Sequence, residues 1–437
     1  MKVHFIGIGG IGVSALARYY LAKGNIISGS DLISSEITRA LEKLGAKIFI
    51  GPHKATSLTP NVKKVIYSVA VKPTNPELKK AQKLGIQIQS YPQALGELTK
   101  QYFTIAVCGA HGKGTTTAMI SLILIKAGLD PTVIIGTKLR EFGDSNCRVG
   151  ESKYLVIEAD EYAGAFLNYW PKMIVLTNID KEHLDYYKDL NHVIKTFGEF
   201  VSHLPKKGIL VTNKDNKSVK KLINSIFSTA VKNVVWYSLK QKEANKIGKI
   251  LKIPGKHNVS NALAALAVAR ALKIPDKISF DALSEYRGAW RRFEIKRIKL
   301  PTSYTLISDY AHHPTEIKAT IAGAKEKFKK KKIWVVFQPH QYQRTYYLFD
   351  EFKKAFDLAD EIILTKIYSV AGREKKEITK KISSEKLAKA IQERGKKVHF
   401  IKDFEKIPQF LKRRINPGDI VLIMGAGSIY KIVEKFS

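Results

Sequence analysis

The stretch Thr104–Thr117, TIAVCGAHGKGTTT, decides how the rest of the chain is read. Ile105 to Cys108 are apolar or β-prone and read as a buried strand. The run then enters a turn holding Gly109, Gly112 and Gly114 around Lys113, and threonines that open a helix over Ala118–Ala127. Strand, glycine turn and helix in that order suit a triphosphate. Glycines let backbone N–H groups close around phosphate oxygens, the helix N-terminus adds partial positive charge, and Lys113 reaches the β- and γ-phosphates. Only Ala110 and His111 separate Gly109 from Gly112, a shorter spacing than the usual phosphate loop. The plain alternative is an ordinary strand-to-helix turn that carries Gly and Lys.

At 437 residues the chain exceeds one core and points to about three domains of about 150 residues each. A net charge of +35 admits nucleic acid, an anionic membrane surface or anionic small substrates as partners. The basic residues are spread along the chain, and only Lys325–Lys332, KEKFKKKK, forms a dense run, which reads as a solvated helix end before the strand IWVVF. No recognised nucleic-acid module appears, so nucleic acid is not an expected partner. Two cysteines, Cys108 in a buried strand and Cys147 in a polar loop, make no disulfide framework and fit a reducing cytoplasm. The N-terminal MKVHFIGIGGIGVSALA imitates a signal peptide, but its regular glycines argue against one. No apolar run reaches the length of a membrane span, so a cytoplasmic protein without membrane insertion is expected.

Strands and helices alternate along the whole sequence, an α/β pattern. Val3–Ile8 leads into Gly7, Gly9 and Gly12 in G-x-G-x-x-G spacing and a helix through Ala22, and a second strand ends at Ser30-Asp31. Taken alone this is a dinucleotide fingerprint and an NAD-dependent oxidoreductase reading; a nucleotide-diphosphate sugar meets the same physical requirement. Strands at Lys47–Ile50 and Val65–Val69 follow, the latter entering a polar loop to Glu77, and a boundary falls near residue 98. Strand Tyr154–Ile157 ends at Glu158-Ala159-Asp160-Glu161, where a carboxylate can hold Mg²⁺ against a γ-phosphate. After the strand MIVLT, His183 in NIDKEHLD is read at a third strand end, within reach of a second metal. Asn258 and Asn261 share one face of a helix start, as caps or as partners for an adenine edge. From Gly288 onward strands at Tyr304–Ser308, Ile333–Phe337, Glu361–Leu364, Val398–Ile401 and Ile420–Met424 make another open sheet, with polar clusters at Asp309–Glu316 and Gln338–Arg344.

The order GIGGIG, SGSD, GAHGKGTTT, EADE, NIDKEH, HNVSNALAA, RRFE, DYAHHPTE, FQPHQYQR, GAGSI resembles a Mur ligase over nearly the whole chain. The resemblance implies three domains: a Rossmann-like one over residues 1–98 for a UDP-sugar, a central P-loop ATPase-type mononucleotide-binding one over 99–288, and a C-terminal Rossmann-like one over 289–437. It implies ATP, Mg²⁺, UDP-N-acetylmuramate and L-alanine as small molecules, a monomer or weak homodimer, and an acyl-phosphate route to an amide. Gly9, Gly10, Gly12, Ser30, Asp31 and Ser68 would contact the UDP part. Gly109, His111, Gly112, Lys113, Gly114 and Thr115 would form the phosphate loop, with Lys113 on the transferring phosphoryl group. Glu158, His183 and Thr115 would hold Mg²⁺, and Asn258, Asn261, Arg292 and Asp309 would hold ATP. His313, His340 and Arg344 would line the place where the amino acid meets the lactyl carboxylate.

Three positions depart from the family pattern. Gly114 follows the lysine where the family has a hydroxyl residue, and in this it resembles folylpolyglutamate synthases; Thr115 is expected to supply the hydroxyl instead. EADEYAGAF stands for the more usual EADESDASF and resembles the murein tripeptide ligase of cell-wall recycling. Gln341 stands where the alanine-adding branch usually has an arginine, although FQPHQYQR and GAGSI favour that branch.

Overall fold

Apolar runs without alternation, such as Ile105–Cys108 and Met173–Leu176, form parallel strands covered on both faces, and the residues between them supply the covering helices. The computed structural model describes residues 1–226, 232–298, 303–370 and 374–436. Three sheets result. The first holds β1 (Lys2–Ile6), β2 (Ile26–Asp31), β3 (Lys47–Ile50), β4 (Lys64–Tyr67) and β5 (Gln87–Ser90) in the order β3-β2-β1-β4-β5, all parallel. The second holds β6 (Phe103–Cys108), β7 (Thr132–Leu139), β8 (Ser145–Arg148), β9 (Tyr154–Glu158), β10 (Met173–Leu176), β11 (Ile209–Asn213) and β12 (Asn233–Tyr237) in the order β12-β11-β10-β6-β9-β7-β8. The third holds β13 (Glu294–Ile298), β14 (Tyr304–Asp309), β15 (Ile333–Phe337), β16 (Glu361–Leu364), β17 (Lys397–Phe400) and β18 (Ile420–Met424) in the order β13-β14-β18-β15-β16-β17. Among the described residues only the edge strands β8 and β13 run antiparallel to their neighbours.

The chain divides into two compact units. The first contains the first two sheets; the second contains the third sheet together with residues 180–193 and 239–263. In the first unit the helix Ile11–Ala22 packs on β7 and β8, where the buried Asn146 amide donates to Ile11 O at 2.6 Å and Ser14 Oγ at 2.9 Å. Cys147 is therefore a buried strand residue, contrary to the polar loop expected from its neighbours. The hairpin hides it because Ser145, Asn146 and Arg148 spend their polar groups on the backbone and on the first helix.

Strand order fixes where ligands can sit. In open parallel sheets the crevice lies at the carboxyl edge where the strand order reverses. That point falls between β1 and β4 in the first sheet, which selects the turn after β1 and Ser68, and at the end of β6 in the second, which selects Gly109–Lys113. No helix among the described residues is long and apolar enough to cross a membrane.

Candidate active site

At the β1/β4 reversal the chain turns tightly. The N–H groups of Gly7 and Ile8 donate to Ser30 O, and Gly9 N–H donates to Asp31 Oδ2 at 2.8 Å. Gly12 opens the first helix against Tyr91, where a Cβ would lie 2.8 Å from the phenol ring, so no side chain fits. Gly7, Gly9, Gly10, Gly12, Asp31 and the half-buried Ser68 are thus brought to one edge. Ser30 is different. The residue is 2 % exposed, and its hydroxyl donates to Glu77 Oε1 at 2.8 Å, an inward partner that the sequence did not indicate.

The second sheet builds the phosphate loop as the sequence order requires, except that the helix begins at Lys113 instead of Ala118. Lys113, Gly114 and Thr115 therefore occupy its first turn, at the positive end of the dipole. The loop is tied down from β10. Asn178 O and Oδ1 accept the N–H groups of Ala110 and His111, and Thr177 Oγ1 donates to His111 O at 2.8 Å. Gly112 holds φ +81°, a left-handed value that only glycine adopts without strain.

Lys113 Nζ lies 2.7 Å from Glu161 Oε2 and 2.8 Å from Gly109 O. Burial works against the ammonium, but Glu161, Asp160 and Glu158 outweigh it and hold Lys113 charged above its usual range. Burial pushes Glu161 up to about 7 against the pull of Lys113. Glu161 lies in the quoted EADE run, yet nothing in its spacing singled it out as the lysine's partner. Glu158 ends β9, and its Oε2 accepts Gly136 N–H at 2.7 Å. A Cβ on Gly114 would stand 3.2 Å from the same oxygen, and one on Gly136 2.8 Å from it, so both glycines make room for this carboxylate. Carboxylate and hydroxyl oxygens are the hard donors that Mg²⁺ prefers; Glu158 at the end of β9 and Thr115 in the first turn of the helix are donors of that kind. The close approach predicts that Gly114→Thr displaces the Glu158 carboxylate by a few tenths of an ångström and shifts the Mg²⁺ concentration at half-maximal activity. An unchanged Mg²⁺ titration would show that Glu158 does not meet the metal.

The second unit holds the remaining candidates. β10 ends at Leu176, so His183 is not a strand-end residue; it sits at φ +54° in the segment 180–193. Its neighbour Glu182, which the sequence reading passed over, makes a buried ion pair with Arg344, Oε1 lying 3.0 Å from Nε and 2.5 Å from Nη2. Burial would raise the Glu182 carboxyl, but Arg344 and the three histidines 313, 183 and 312 outweigh it and hold it well below the carboxylate range. The third Arg344 nitrogen, Nη1, donates to His340 O at 3.0 Å. All three guanidinium nitrogens are thus engaged by Glu182 and His340. His313 is likewise committed: its Nδ1 accepts Thr315 N–H as the helix cap of Pro314–Lys327, and Nε2 donates to Lys181 O at 3.1 Å. His340 stacks on Tyr368 with ring centroids 5.5 Å apart. Gln341 adopts φ +71° and lines a cavity of about 10 Å³ beside Arg344, Glu182 and His183, room for about one water.

Asp309 accepts the N–H groups of Phe293 and Ala311, both at 2.8 Å, and is 93 % hidden. It thereby shapes the Arg292 turn, and Arg292 lies 5.0 Å over the Tyr310 ring. Asn258 and Asn261 open the helix Lys256–Ala271, Asn258 donating to Pro254 O at 2.7 Å.

A glycine-turn sheet, a lysine phosphate loop facing a strand-end carboxylate and a third open sheet define the class. Three family models match the chain: Mur ligase family, catalytic domain, over residues 2–103; Mur ligase middle domain over 107–269; and Mur ligase, glutamate ligase domain, over 291–427. The chain belongs to the Mur ligase family. It is 43% identical to the UDP-N-acetylmuramate–L-alanine ligase of Acetivibrio thermocellus, over 99% of this chain and 95% of that one. Among solved structures it matches the UDP-N-acetylmuramate–alanine ligase of Thermotoga maritima with a TM-score of 0.82 and 29% identity, over 100% of this chain and 98% of that one. The murein peptide ligase of Psychrobacter arcticus shares the fold at a TM-score of 0.73 and 24% identity, over 100% and 98% of the two chains.

Proposed function

We propose that this chain joins L-alanine to the lactyl carboxylate of UDP-N-acetylmuramate with ATP, through an acyl phosphate. The observation that carries the reading is end-to-end similarity to ligases of that name together with Lys113 and Glu158 at the end of β6 and β9. In this reading the first sheet, residues 1–98, takes the UDP-sugar through Gly9, Gly10, Gly12, Asp31 and Ser68, which leaves no part for a nicotinamide cofactor. Residues 99–288 take ATP on the phosphate loop, and Thr115, Glu158 and His183 hold Mg²⁺, which when bound offsets phosphate charge. Lys113 compensates the charge that develops on the transferring phosphoryl group. Residues 289–437 supply Arg292 to ATP and His340 to the amino acid, and Arg344 acts by holding Glu182 and His340.

The test is a phosphate-release panel with the purified chain. Release is expected only when UDP-N-acetylmuramate and L-alanine are both present. Release that ignores the sugar nucleotide would overturn the ligase reading, and a preference for a murein tripeptide over L-alanine would assign the chain to cell-wall recycling.

A further inference from the structure

A groove of about 440 Å³ lies beside the edge strand β5, where the helix Tyr91–Gln101 meets residues 167–170. The contact is close. A Cβ on Gly96 would stand 2.3 Å from Asn168 O, so only glycine lets helix and segment touch, and Thr99 Oγ1 accepts Trp170 N–H at 3.0 Å alongside. Trp170 precedes β10, which places the groove by the amino edge of the second sheet, whereas the phosphate loop follows β6 at the carboxyl edge. The function proposed above makes no use of it.

The polar groups of this groove are fixed from behind. Gln89 is 9 % exposed; its Nε2 donates to Glu97 Oε1, and its carbonyl oxygen is buried with no hydrogen-bond partner among the described residues. A buried acceptor left unpaired costs free energy, and native proteins seldom keep one without a use for it. Glu97 Oε2 accepts from Lys64 Nζ at 3.1 Å, and Lys64 is itself 6 % exposed. Burial works against the Glu97 charge, but Lys64, Gln89 and Lys100 outweigh it and keep the carboxyl below its usual range. Each Glu97 oxygen accepts one bond within the protein, and lone pairs remain for a ligand. Gln89 and Glu97 therefore offer acceptors only. Lys100, three residues along the same helix, offers the donor: its Nζ lies 5.5 Å from the Trp170 ring centroid and makes no hydrogen bond or ion pair among the described residues. The Trp170 ring, exposed on the surface and stacked on His203 at 4.4 Å, adds an apolar wall together with Leu167.

A phosphate here would face Glu97, and a simple amine would face Lys100. A molecule that carries both an ammonium and a carboxylate meets an opposite charge at each. The volume, within the range of small-molecule pockets, and the aromatic wall call for a body much larger than a methyl group. We propose that this groove binds a free α-amino acid with a large apolar side chain. Its ammonium donates to Gln89 Oε1 and Glu97, its carboxylate accepts from Lys100, and its side chain lies on Trp170. No covalent step is involved, and the site is separate from the one where the acceptor amino acid reacts.

The test is calorimetric titration of L-phenylalanine onto the full chain, beside phenethylamine, which lacks the carboxylate, and hydrocinnamate, which lacks the ammonium. L-Phenylalanine should bind, and each analogue should bind about tenfold or more weaker, the scale of one lost charge-assisted hydrogen bond. Lys100→Ala should weaken L-phenylalanine by a similar factor and leave phenethylamine no weaker than before. Glu97→Gln should weaken L-phenylalanine and leave hydrocinnamate no weaker. Turnover with L-alanine should be unaltered in Lys100→Ala, as a site apart from the chemistry requires. Should Glu97→Gln fail to fold because the buried Lys64 loses its partner, Lys100→Ala alone decides, since that side chain is exposed. Absence of L-phenylalanine binding overturns the inference, as does equal binding of the three probes. L-Phenylalanine binding that is unchanged in Lys100→Ala also overturns it, because the ligand then lies elsewhere. None of these results bears on the ligase reading, which the phosphate-release panel tests.

Discussion

Replacing Lys113 by alanine is expected to lower turnover about 100- to 1,000-fold, the effect of deleting one preorganised contact to transition-state charge. Its Nζ is held by Glu161 and by the carbonyls of Gly109 and Ala110, all of which accept and none of which can offset phosphate charge. The same substitution strips Glu161 of its cation in a site where the carboxyl is 1 % exposed. Already pushed up to about 7 in the native protein, Glu161 will then favour its protonated form more strongly. The sign follows from linkage. A carboxyl whose folded pKa exceeds its unfolded value binds a proton on folding, so the contribution of that group is greatest at low pH and is lost as pH rises through the folded value. Lys113→Ala should therefore be markedly less stable than the unaltered chain at pH 8 and closer to it at pH 5. Lys113→Ala combined with Glu161→Gln should regain the stability at pH 8 and none of the turnover. Retention of a tenth or more of the turnover by the single variant would show that Lys113 does not face the reacting phosphate.

The order of the phosphate loop was legible because its parts are local signals, an apolar strand, a glycine turn and a helix, although the helix starts at Lys113 and not at Ala118. The same holds for the turn after β1 and for the strand ends Glu158 and Asp309, since a parallel sheet fixes which end of a strand is the ligand edge. What the sequence did not disclose were pairings across long distances in the chain. Glu182 and Arg344 are 162 residues apart, and His4 and Glu77 are 73 apart; no spacing rule links them. The partners of Ser30, His313 and Arg344 were hidden for that reason. Each residue type suits a ligand, and each is instead satisfied by a distant partner, respectively Glu77, Lys181 O and Glu182. Tyr91 shows the same limit, since its contact with Gly12 depends on how two helices of one sheet converge.

Breaking the Glu182–Arg344 pair from one side should cost about 3–5 kcal/mol of stability, because the remaining charge is left buried without compensation. Both side chains are 94 % hidden, and Arg344 bonds to Glu182 through two nitrogens, the geometry in which such pairs are strongest. Arg344→Met and Glu182→Gln should each lower the unfolding midpoint substantially. The joint replacement Glu182→Leu with Arg344→Met should recover most of the loss, since apolar groups of similar volume need no partner. The pH dependence has a definite sign. The folded Glu182 carboxyl lies well below its ordinary range, so the pair contributes fully above the unfolded value of about 4.3 and is lost as pH falls through the depressed folded value. The gap in stability between the unaltered chain and Glu182→Gln should be constant from pH 6 to 8 and should narrow only in strongly acid solution. Turnover separates this pinning role from direct recognition of the amino acid. If Arg344 holds Glu182 and His340, the joint apolar replacement should restore stability while His340, freed from Nη1, binds its partner less well, and kcat should fall more than KM for L-alanine rises. A selective rise in that KM, with kcat unchanged, would return Arg344 to the carboxylate of the amino acid.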